Sequence, residues 1–67
     1  MKPVFMRREP TTDSNAPGKR DVVAYADEHM TQPVARFAWH NTYPRRTQKQ
    51  IRIAGESYEP VWREASQ

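Results

Sequence analysis

Cysteine is absent from the 67 residues and glycine occurs only twice. Without cysteine there is neither a disulfide nor a thiolate zinc site, so the usual staples of very small domains are missing. Apolar runs are short as well. Val4-Phe5-Met6 in the opening MKPVFMRRE is too brief for a signal-peptide core, and nothing approaches a membrane span. These absences lead to the expectation of a soluble, cytoplasmic chain without a membrane role. Glycine-rich phosphate loops and the H-E-x-x-H pattern are also missing, and the serines are Ser14, Ser57 and Ser66, all in turn-like or terminal stretches. His29 and His40, with Asp27 and Glu28 nearby, match no zinc spacing. A chain this short buries only about 60% of its unfolded surface and seldom encloses a catalytic pocket. The reading is therefore non-enzymatic, with no catalytic residues, metal, cofactor or small-molecule substrate.

What is present is organised around Thr47 to Arg63, TQKQIRIAGESYEPVWR. Ile51 and Ile53 alternate with Gln50 and Arg52 at the period of a half-buried strand, and Tyr58, Val61 and Trp62 supply β-formers after a turn. With Gly55-Glu56 as a two-residue loop, Gly55 takes the positive-φ position of a type II′ turn. That closure pairs Ile53 with Tyr58, Arg52 with Glu59 and Ile51 with Pro60, and it places 58–63 at a sheet edge because proline cannot donate to a ladder.

The remaining segments are read in relation to this hairpin. PVARFAWHN, from Pro33, alternates Ala35, Phe37 and Trp39 against Val34, Arg36 and Ala38, which predicts a central strand over 34–40. Residues 21–30, DVVAYADEHM, fit either a strand over 22–26 or a short helix capped by Asp21, with the strand preferred. Residues 1–20 read as a short strand candidate, at the sheet edge or loose, followed by a flexible Pro-rich polar segment; 21–63 form one small domain, and 64–67 fray. The fold class is mainly β: a small antiparallel sheet of three to four strands with the C-terminal hairpin 47–63, or an α+β variant if 21–30 is helical. Phe37, Trp39, Ile51, Ile53, Tyr58 and Trp62 are the expected core.

Charge is unevenly placed. The net charge is +3, yet no acidic residue lies between Glu28 and Glu56, where Arg36, Arg45, Arg46, Lys49 and Arg52 all fall. These side chains, with Tyr43 and Trp62 as aromatic anchors, form the candidate partner-binding set. One reading is a basic face for DNA or RNA phosphates, with Tyr43 or Trp39 stacking on bases. Another is a protein contact patch, since Trp, Tyr and Arg are enriched at hot spots. Lysines and arginines on a small sheet also serve simply as a solubilising face. RRM, KH, zinc-finger and helix-turn-helix signatures are absent.

In size, in its lack of cysteine and in its closing IRIAGESYEPVW hairpin, the chain resembles the small proteins that bacteriophages encode to take over their hosts. The resemblance implies a protein that occupies a surface of a host machine, RNA polymerase being a frequent target. The resulting expectation is a regulator or inhibitor of transcription that binds a host transcription component in the host cytoplasm. The alternatives are direct nucleic-acid binding and a structural or assembly subunit.

Overall fold

Short runs of β-forming residues recur along the chain, and the computed structural model, which describes residues 1–63, turns them into five strands. They are β1 (Lys2–Pro10), β2 (Arg20–Tyr25), β3 (Pro33–Phe37), β4 (Ile51–Ile53) and β5 (Glu56–Trp62). They form one sheet in the order β3-β2-β1-β5-β4. Neighbours run antiparallel except β1 and β5, which are parallel, so the sheet is mixed. The mainly β class holds, whereas a purely antiparallel sheet does not. No helix among the described residues is long and apolar enough to cross a membrane.

Within 21–30 the preferred strand is present as β2, followed by a turn in which Asp27 accepts from the Thr31 and Gln32 amides, each at 2.9 Å from Oδ1. Other expectations are corrected. The strand expected only around Val4 to Met6 spans nine residues and lies at the centre of the sheet rather than at its edge. β3 is an edge strand instead of a central one, and it stops at Phe37. β5 is internal, flanked by β1 and β4. Pro60 is accommodated because β4 ends opposite Tyr58 at its low-numbered end, so the antiparallel ladder never reaches Pro60. The tail at 64–67, expected to fray, lies outside the described residues.

The hairpin closes two residues away from its expected register. Ile51 pairs with Tyr58, Arg52 with Ser57 and Ile53 with Glu56, leaving Ala54-Gly55 as the loop. Both loop residues have positive φ, 52° and 83°, which is the requirement of a type I′ turn rather than type II′. Arg52 consequently does not face Glu59; its guanidinium donates to the Gly55 carbonyl at 2.9 Å.

The registers place Val4, Met6, Val22, Ala24, Ala35, Phe37, Ile51, Ile53, Tyr58 and Trp62 on one face, and these residues form the core cluster. Met6 and Ala24 are fully buried at its centre. The 38–50 connection bridges the sheet's two edges. The Tyr43 ring meets Phe37 at the end of β3 edge-on at 5.8 Å, and its hydroxyl accepts from the Arg52 amide of β4 at 2.8 Å. An edge-strand N–H is thereby satisfied within the chain. The opposite face carries a polar network. Glu9 accepts from Arg7 at 2.8 Å and from the Tyr25 hydroxyl, and Arg36 joins Glu9 at 3.6 Å to Asp21 at 2.8 Å.

Candidate functional site

Trp39 leaves the sheet at the first turn after β3 and stays 36% exposed, so it is not the core residue that its alternation with Phe37 predicted. It is nevertheless held at several points. The backbone amide of Trp39 donates to Asp21 Oδ1 at 2.8 Å, and its indole Nε1 donates to Asp13 Oδ2 at 3.1 Å. Lys19 Nζ stands 5.4 Å from the ring centroid, and His40 meets the ring edge-on at 5.4 Å. An exposed aromatic with both its amide and its indole tied down loses little freedom when something stacks on it.

Asp21, only 2% exposed, is the main anchor. Burial pushes its carboxyl pKa up, but hydrogen bonds from Arg36, Thr11 and the Trp39 amide outweigh that and hold it below the ordinary carboxylate value. Glu9 behaves alike: burial raises its pKa, while Tyr25, Arg7 and the nearby Arg36 charge lower it further. Asp13, on the surface, is lowered first by its bond from Trp39 and then by the Asn15 amide.

Two recesses meet at Trp39. The larger is a groove of about 420 Å³ lined by Arg8, Arg20, Arg45 and Arg46, with Trp39 and Trp62 among its walls. Arginines thus supply all of its charged lining among the described residues, with Arg8 and Arg46 also engaged in contacts within the chain. Arg46 lies over Trp62, its guanidinium carbon 4.7 Å from the ring centroid. The buried Trp62 Nε1 has no hydrogen-bond partner among the described residues. The smaller recess, about 220 Å³, has Thr12, Asp13, Asp21 and His40 in its lining. Among the described residues, no group of three or more metal-ligating side chains converges.

The expected partner-binding set is thus divided. Arg45, Arg46 and Trp62 come together in the groove. Arg36 is bound to Asp21 and Glu9, and Tyr43 is occupied by Phe37 and the Arg52 amide. Arg52 turns back on its own hairpin, and Lys49 lies exposed in the 38–50 connection, outside both recesses. Arg8 and Arg20 lie outside the acid-free stretch between Glu28 and Glu56 that defined the expected set; they sit beside the loop that joins β1 to β2. There Arg8 faces Val22 and Arg20 faces Pro10, which puts both arginines on the core-side face at the loop end of the hairpin. The dipeptides Arg7-Arg8 and Lys19-Arg20 were the available signal.

No protein-family model, no curated protein sequence and no solved structure matches this chain.

Proposed function

We propose that this chain is a non-enzymatic module that binds single-stranded nucleic acid. The phosphates lie in the Arg8, Arg20, Arg45 and Arg46 groove, and a base stacks on Trp39. The observation that carries the reading is the immobilised, exposed Trp39 at the lip of a groove lined by four arginines. Arginine grooves that track phosphates, with aromatic platforms for unstacked bases, are the common design of single-strand binders. Duplex DNA keeps its bases stacked and would leave the platform unused. Contact with a transcription component draws less support, because Trp62, one of its two aromatic anchors, is half-buried beneath Arg46, and Tyr43, though 39% exposed, lies outside the arginine groove. A role beside a nucleic-acid machine in the cytoplasm is part of the proposal, served by gripping the strand rather than the machine.

The test is fluorescence anisotropy with a labelled octathymidylate over a range of salt concentrations. Neutralising about three to four phosphates gives a slope of log affinity against log salt near −2 to −3, at about −0.7 per phosphate for single strands. Arg45→Ala with Arg46→Ala is expected to reduce the slope by about one to two. Trp39→Ala is expected to cost about 1–3 kcal/mol at fixed salt while leaving the slope unchanged. Salt-independent binding, or wild-type affinity in all variants, would overturn the reading.

A further inference from the structure

The second recess lined by Trp39 differs from the arginine groove in sign and in size. At about 220 Å³ it is smaller than the ~300–1,000 Å³ of drug-sized ligand sites, and it suits one flat heterocycle. Its charged lining is Asp13, Asp21 and Arg36, and the Arg36 charge is already met by Asp21 and by Glu9 outside the recess. What this leaves toward a ligand is the Asp13 carboxylate, on the surface, with Thr12 and His40 alongside. Asp13 accepts one bond per oxygen, from the Asn15 amide at 2.9 Å and from Trp39 Nε1 at 3.1 Å. Each carboxylate oxygen offers a second lone-pair site. With two carboxylates against one guanidinium in its lining, this recess is less favourable to a phosphate than the arginine groove, and Lys19 over the Trp39 ring lies outside its lining. A strand crossing the tryptophan is therefore oriented, backbone toward the arginines and base edge toward Asp13.

Base chemistry then selects. Guanine presents two adjacent donors, N1–H and the N2 amino group, a match for the two oxygens of one carboxylate. Thymine and uracil present a single N–H flanked by two carbonyl oxygens, which a carboxylate repels. Adenine and cytosine present one amino group beside a ring-nitrogen acceptor. We propose that the recess bounded by Trp39 and Asp13 is a base-edge subsite that prefers guanine, with the ring stacked on Trp39 and its N1–H and N2–H on the Asp13 carboxylate. The proposal rests on the single-strand reading and adds base selectivity to it.

Octathymidylate is compared with the same strand carrying one central guanosine, adenosine or inosine, using the intact wild-type protein. The guanosine strand is expected to bind about tenfold more tightly than octathymidylate, at the scale of a bidentate base contact. Inosine, which lacks the N2 amino group, is expected to lose most of that gain, and it probes the contact without altering the protein. Asp13→Asn, which keeps an oxygen for Trp39 Nε1, is expected to bring the guanosine strand to within about twofold of octathymidylate. Equal affinity for all four strands, with the salt slope intact, would overturn the subsite and leave the single-strand reading standing. Failure of every strand to bind would overturn both.

Discussion

Asp21 joins the two faces of the sheet at the level of single atoms. It ties Arg36, on the polar face, to the Trp39 amide beside the groove. Its carboxyl titrates lower in the folded chain than in the unfolded one, as do those of Glu9 and Asp13. Groups shifted in this direction stabilise the fold at neutral pH, and that contribution disappears as pH falls through their folded values, because the unfolded state takes up protons first. Urea denaturation from pH 7 down to about pH 2 is expected to show stability declining below about pH 5, where unfolded carboxyls begin to protonate. Asp21→Asn is expected to be less stable at pH 7 and to show a shallower acid decline. It should also change the Trp39 emission, because the amide loses a charged acceptor.

Among the elements, the β4–β5 hairpin offers the sharpest test. Ala54 is an L-residue at φ 52°, a conformation that only Gly, and to a lesser degree Asn and Asp, adopts without strain. Asn-Gly is the preferred pair for a type I′ turn, so Ala54→Asn is expected to raise stability by about 0.5–1 kcal/mol in urea denaturation. Gly55→Ala is expected to cost about 1 kcal/mol from backbone strain alone, since nothing lies within 4 Å of the added methyl group. The same hairpin shows how far sequence reasoning reached. The alternation of Ile51 and Ile53 correctly assigned the faces, yet a slip of two residues keeps every side chain on its face, so pattern alone could not choose between the two registers. Trp39 is the opposite case. Its alternation with Phe37 suggested a core position, but β3 ends at Phe37, and the deciding carboxylates, Asp13 and Asp21, come from segments distant in sequence. The Arg45-Arg46 pair was legible as positive charge. Its convergence with Arg8 and Arg20 depended on a central β1, which the short apolar run at Val4 to Met6 did not disclose.

For the molecule as a whole, that central strand is decisive. β1 supplies Val4 and Met6 to the core and pairs on both flanks, with β2 antiparallel and β5 parallel. Met6→Ala removes a fully buried side chain at the middle of the sheet and is expected to cost about 2–5 kcal/mol. In a domain with so small a core, this change is expected to leave much of the chain unfolded at 25 °C, as read by loss of amide dispersion in NMR spectra. The β1–β5 pairing also bears on how the protein is made. A ribosome completes β1 well before it adds β5, and at roughly 5–20 residues per second the interval lasts about 2–9 s. Throughout that time one flank of the nascent strand waits with its peptide groups unpaired. Closure of the sheet thus waits until β5 has been made, and a synonymous codon change that slows synthesis between Pro10 and Glu56 would lengthen the nascent chain's exposure to mispairing without altering a single residue.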